Sequence, residues 1–270
     1  MDVGAGLAPA LSNTQLPIYE KFMCWSGEAS TVLATIGLSS TVYFYYKKEP
    51  AALCAALGYF SLMEVLQAYT YTVIDECSNP ANQLATLLGY IHIAFQPFFI
   101  NAVSLYFIPE KIRKKISPTV YFICFVATVC LLIRLYPFEW APACYEVKTR
   151  FILFSQYIDS FNVPFCGKRI CSISGDWHIA WEIPATANLV LFNMYIVASF
   201  ILPYLYGSWK MTSYHILTGP FLAYLTTSNP NEWAAVWCLY SIGLVLLLVK
   251  SPIRKMLFVN SWFLWKYLKA

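Results

Sequence analysis

Glu64 stands within an otherwise apolar or weakly polar stretch, residues 52–74, with Gln67 three positions on. His92 lies in a second apolar stretch with Gln96 at i+4, and His178 precedes a third with Glu182 at i+4. On a helix, spacings of three or four put two side chains on one face. Ionisable groups are costly in an apolar medium and are retained there for proton exchange, ion binding or ligation. Two chemistries follow. A carboxylate with an imidazole can bind or pass a proton or cation. Glu64, His92, His178 and Glu182 together form a mixed His/carboxylate set that suits a divalent metal such as Zn or Fe. The bland alternative is that these groups tie helices together through interhelical hydrogen bonds, worth about 0.6 kcal/mol each. Gln and Asn suit that role; a carboxylate does not.

The elements that position these residues are set by composition. Of 270 residues, 59% are hydrophobic, 18% aromatic and 12% charged, against about 25% charged in ordinary globular domains. A water-soluble fold of this size cannot hide that much apolar surface. The expected fold is all-α, a polytopic membrane bundle of about seven transmembrane helices. A crossing takes about 20 apolar residues. Windows at 28–46, 52–74, 84–108, 118–138, 180–206, 211–227 and 232–250 qualify, and the sixth is interrupted by Gly219–Pro220.

Loop charge gives the direction. Lys47 and Lys48, the run Lys111 to Lys115, Lys210, and Lys250 with Arg254 and Lys255 fall in alternate connections. The intervening loops carry Asp75, Glu76 and Glu232. Positive loops stay inside, which puts the N-terminus outside and the C-terminus in the cytoplasm. Arg134, near the outer end of span four, is expected to snorkel outward. At 1.5 Å per residue, Glu64 and His92 each lie about 18 Å from the inner edge, and Asn188 on span five lies level with them. Pro97 leaves the carbonyl of Ile93 without its helical donor, close to His92. An outward-opening pocket lined by Glu64, Gln67, His92, Gln96, Glu182, Asn188 and Ser241 is the resulting expectation.

Three further segments complete the organisation. Residues 1–27 form an extracytoplasmic extension without the features of a cleavable signal. The outer loop, 139–178, holds Cys144, Cys166 and Cys171, and Cys24 and Cys77 are also external. The oxidising side favours disulfides. Cys166 with Cys171 and Cys77 with Cys144 are the candidate pairs, with unpaired thiols as the alternative. The tail, 251–270, mixes Arg254, Lys255 and Lys266 with Phe258, Trp262, Phe263, Trp265 and Tyr267. It reads either as an interfacial amphipathic helix on anionic lipid or as a segment packed on its own bundle.

The stretch Phe22-Met23-Cys24-Trp25-Ser26-Gly27-Glu28-Ala29-Ser30 resembles the Met-Cys-Phe-Ser-Ala opening of a family of uncharacterised, mostly bacterial multi-pass membrane proteins. Glu64, the run His178-Ile179-Ala180-Trp181, and Trp237-Cys238 with Ser241 match further short motifs of that family. In the family the Met-Cys begins the chain, whereas here 22 residues precede Met23. The resemblance implies a multi-pass fold. It supplies no activity, because the family is a domain of unknown function.

Other seven-span classes fit poorly. A retinal protein needs a Lys in the last span, and 232–249 has none, so no retinal is expected. No His-x-x-x-His pair of a membrane zinc hydrolase is present near that span. Nucleic acid is not needed to explain a net charge of +4. The partners expected are the lipid bilayer and a small polar solute or ion, with homo-oligomers open. Three functions compete: a carrier or binder of a small polar solute, proton or cation; a non-catalytic scaffold or sensor; and a metal-assisted intramembrane enzyme. The chain is expected to be integral to a membrane, with the plasma membrane and endomembranes not distinguished.

Overall fold

The computed structural model describes residues 25–136, 139, 142–146, 164–187 and 189–268. Met23, Cys24 and Asn188 lie outside the described residues. Helix starts follow local chemistry. Ser26 caps α1 (Gly27–Tyr46) through a bond from the Ala29 N–H. Asn79 caps α3 (Pro80–Tyr106) through the Ala81 N–H, with Pro80 at the position that needs no donor. Pro50 and Pro109 precede α2 (Ala51–Tyr71) and α4 (Glu110–Ile133). α2 packs between α1, α3 and the last long helix, and α3 packs on α2 and α4.

After α4 the chain departs from the all-α expectation. Residues Cys171–Ser174 (β1) and Ile179–Glu182 (β2) form an antiparallel hairpin with Cys171 opposite Glu182 and Ser174 opposite Ile179. Span five therefore does not begin at 180. Its helix, α5 (Leu189–Ile196), starts beyond Pro184 and runs through a π-helical stretch (Val197–Ile201) into a last turn (Leu202–Leu205). Pro184 lacks the N–H a continuous helix requires there. Ile179, Ala180 and Trp181 are buried within the hairpin itself, so an apolar strand had the look of a helix start. The sixth expected span is two helices, α6 (Trp209–Thr218) and α7 (Pro220–Thr226), divided at Gly219–Pro220. The chain then forms α8 (Trp233–Lys250). Four of these helices, α2, α3, α4 and α8, are long and apolar enough to cross a membrane.

The hairpin is fastened to the helix ends. The amide of Asn82 donates to the carbonyls of Val73 and Ser172, both at 2.8 Å, and its oxygen accepts the Ser172 N–H at 2.9 Å. Among the described residues the disulfides are Cys77–Cys171 and Cys144–Cys166. The four cysteines are those expected to pair, but the partners are exchanged. Cys171 is fixed in β1 beside the α2–α3 loop that carries Cys77. Cys166 lies against Ile183, and Cys144 donates its backbone N–H to Ala185 two residues further on.

Arg134 also differs from expectation. It is buried, packs over the Phe192 ring at 5.3 Å and reaches the Thr186 carbonyl through Nε at 3.4 Å, because the segment after β2 folds across it. At the other end of the bundle the tail folds back. The Val259 N–H donates to Phe107, and the Trp262 and Trp265 indoles donate to Leu205 and Tyr206. Arg254 pairs with Glu49 at 2.7 Å.

Peptide mapping of unreduced protein is expected to recover Cys77–Cys171 and Cys144–Cys166 as the linked pairs. Replacing both members of either pair with Ser should lower the folding free energy by about 2–5 kcal/mol. Recovery of a Cys166–Cys171 peptide would show the exchange of partners to be wrong.

Candidate functional site

Glu64, Gln67 and Tyr71 stand at i, i+3 and i+7 on α2 and so share a face. Glu64 and Gln67 have no solvent exposure. Neither carboxylate oxygen of Glu64, and neither amide atom of Gln67, has a hydrogen-bond partner among the described residues. The Ser30 hydroxyl of α1 lies near enough to act on Glu64 as a hydrogen-bonding neighbour but outside bonding geometry, and it accepts the Trp25 indole N–H at 2.9 Å. Cys238 of α8 and Tyr71 both lie within electrostatic reach of Glu64.

The hairpin forms the roof. His178 is wholly buried, and its Nδ1 meets the Tyr71 hydroxyl at 3.0 Å and accepts the Ile179 N–H at 2.8 Å. With Nδ1 accepting, the neutral ring carries its proton on Nε2, which has no partner among the described residues. The His178 ring lies 5.8 Å from the Trp25 ring and 5.9 Å from that of Tyr71. Below the roof, the buried carboxylate of Glu232 accepts the backbone N–H groups of Asp176 (2.8 Å), Trp177 (2.9 Å) and His178 (3.0 Å). Gly175 is required at this turn, because a Cβ there would lie 2.3 Å from the Glu232 carboxyl.

The other expected pocket residues are distributed differently. His92 is half-buried, stacks on Tyr59 with 3.9 Å between ring centres, and has an unpartnered Nε2 among the described residues. The Tyr59 hydroxyl donates to the His92 carbonyl. Gln96 is fully engaged: its oxygen accepts the Tyr195 hydroxyl at 2.6 Å, and its nitrogen donates to the Cys238 sulfur at 3.0 Å. It ties α3 to α5 and α8. Ser241 donates to the Trp237 carbonyl and borders a separate void of about 20 Å³ beside His215. Glu182 lies on β2, so it does not share a helix face with His178, and the i+4 spacing brings the two together on no helix. No three His, Cys, Asp or Glu side chains gather as a metal site among the described residues. Glu64, His92, His178 and Glu182 thus do not converge.

Sequence reasoning passed over Tyr71, Ser30, Trp25 and Glu232. Tyr71 was open to detection, since i+7 from a buried carboxylate is the same face two turns on. Glu232 carried a weaker signal, an acid just before a helix start, where carboxylates are favoured. Nothing local connects it with residues 176–178.

The fold and site define a helix-bundle protein with four membrane-length apolar helices, a disulfide-pinned hairpin at one end and a buried carboxyl group without a hydrogen-bond partner among the described residues. The chain belongs to a family of unknown function (DUF5765), whose model matches residues 28–258. That match begins just after the Met23-Cys24 stretch. No curated protein and no solved structure matches the chain.

Burial pushes the His178 imidazole down to about 3. An unfolded His has a value of about 6.5, so the unfolded chain binds the extra proton between those two values. This contribution to stability is complete above pH ~6.5 and is lost as pH falls toward 3. Thermal unfolding in detergent is expected to show a loss of about 3 kcal/mol from this group at pH 4 relative to pH 7. His178→Asn should flatten that part of the profile; an unchanged profile would remove His178 as its source.

Proposed function

We propose that the chain crosses the membrane seven times with its N-terminus outside, and that it binds a proton or small cation at Glu64 and exchanges it with the outer face. The observation that carries this is the Glu64 carboxyl group, fully buried in a helix of membrane-crossing length and without a hydrogen-bond partner among the described residues. A carboxyl group left without partners in an apolar interior either holds a proton or binds a cation that the chain does not supply.

Several features support the reading. The four membrane-length helices account for four crossings, and α1, α5 and the α6–α7 pair supply the other three. The disulfides fall at the end of the bundle where α2 ends and α3 begins. The basic residues Lys47, Lys48, Lys210 and Arg254 fall at the opposite end, as expected for an oxidising outside and a positive inside. Gln67, Tyr71 and His178 form the polar route upward from Glu64, and a hydroxyl against an imidazole at 3.0 Å can relay a proton.

The test is ion flux in liposomes reconstituted with the full chain, read with an internal pH-sensitive dye under an imposed potential. Glu64→Gln keeps the shape and removes the titrating oxygen. It is expected to cut proton flux roughly a hundredfold, the lower end of what a positioned proton-transfer group contributes. Tyr71→Phe should slow flux less and leave binding intact. Flux unchanged in Glu64→Gln would remove the carboxylate from the mechanism.

A further inference from the structure

At the opposite end of the bundle from the hairpin, a cleft of about 360 Å³ lies between α2 and α4, with α3 behind it. That volume falls in the range of small-ligand sites. Its walls at the first turn of α2 and the last turns of α3 are small or aliphatic: Ala51, Ala52, Ala102 and Leu105. Its polar lining is Tyr106 from the end of α3, and Arg113, Ser117 and Tyr121 from α4.

These polar groups are arranged as donors. The Tyr106 hydroxyl accepts two N–H bonds from Arg254, at 3.0 Å from Nε and 2.6 Å from Nη2. That leaves its own proton to donate, polarised by the cation behind it. Arg113 forms no ion pair among the described residues. Glu110, an acid on which Arg113 acts electrostatically, is held by Lys114 at 2.7 Å. Arg113 also acts electrostatically on Tyr121, so a guanidinium and a second phenol border the same space. The Ser117 hydroxyl already donates to the Arg113 carbonyl at 2.6 Å and is left as wall.

The position of the cleft selects its occupant. It spans the inner ends of three helices that are membrane-length and apolar. It starts beside the basic run Lys111 to Lys115 and reaches Tyr121, about 16 Å along α4 from its start. The same helix exposes Phe122 and Phe125 on its apolar outer surface. A site with phosphate-type donors at one end and an apolar helix surface at the other fits an anionic phospholipid, its headgroup among the donors and its chains along the helices. We infer that this inner cleft is a binding site for the phosphate headgroup of an anionic membrane lipid. It is independent of Glu64.

The test uses full-length protein in neutral detergent, titrated with phosphatidylglycerol or with phosphatidylcholine and read by native mass spectrometry. The expected result is one retained phosphatidylglycerol, weakened by added salt, with phosphatidylcholine retained far less. Arg113→Gln should weaken retention by about tenfold, as loss of a charge-assisted phosphate contact does. Arg113→Lys should recover part of it, and Tyr121→Phe should lose a smaller share. Lys168→Gln, on an exposed lysine at the hairpin end of the bundle, should leave retention unchanged. Circular dichroism and melting temperature of each variant separate loss of binding from loss of fold. Equal retention in Arg113→Gln, or equal retention of the two lipids, overturns the inference. So does displacement of the lipid by millimolar inorganic phosphate, which would make the cleft a site for soluble anions.

Discussion

The Glu232 carboxylate, buried just before α8, accepts three backbone N–H bonds from the turn between β1 and β2. Each side of that contact would be costly without the other. A carboxylate out of water needs donors, and the N–H groups of a tight turn have no partners within the turn. The contact holds the hairpin down on the bundle from the α8 side, while Asn82 and the Cys77–Cys171 bond hold it from the side of α2 and α3. Once the hairpin is seated, His178 comes to rest on Tyr71, and Trp181 lies over Gly89 closely enough that a Cβ there would sit 3.3 Å from the ring. Glu64, two turns below Tyr71 on the same face of α2, has no solvent exposure.

Among the described residues, the other end of the bundle is fixed without covalent links. Glu49 joins Arg254 at 2.7 Å and Lys250 at 3.6 Å, and Arg254 reaches Tyr106. The Arg254 hydrogen bond holds the Glu49 carboxyl below the usual carboxylate range. The tail also lays Trp262 and Trp265 against Leu205 and Tyr206, at the end of the turn that follows the π-helical stretch.

What the sequence disclosed follows from the range of each signal. Long apolar runs registered α2, α3, α4 and α8 because crossing length is a local property. The same signal failed at Ile179-Ala180-Trp181, since a short buried strand and a buried helix start have the same hydropathy and differ only in what lies across from them. The i+4 pairing of His178 with Glu182 failed with it. The four cysteines that pair all lie in segments expected outside the membrane. Their pairing depended on where the hairpin docks, which spacing does not encode. Arg134 was expected outside because its charge demanded water; the Thr186 carbonyl and the Phe192 face take that place.

Two glutamines show how depth and function separate. Gln67 and Gln96 are both wholly buried in neighbouring helices. Gln96 has both amide atoms engaged, by Tyr195 and Cys238, and locks three helices together. Gln67 has neither engaged among the described residues. A lack of partners is therefore not a general consequence of burial in this bundle, which furnishes them readily one helix away. Each unsatisfied buried group costs about 1–3 kcal/mol, and three such groups, Gln67, Glu64 and the His178 Nε2, occur along the α2 face and the roof above it. Stability alone would favour apolar replacements at these positions. The contrast with Gln96 is what sets the α2 face apart, and the proposed binding role of Glu64 rests on it.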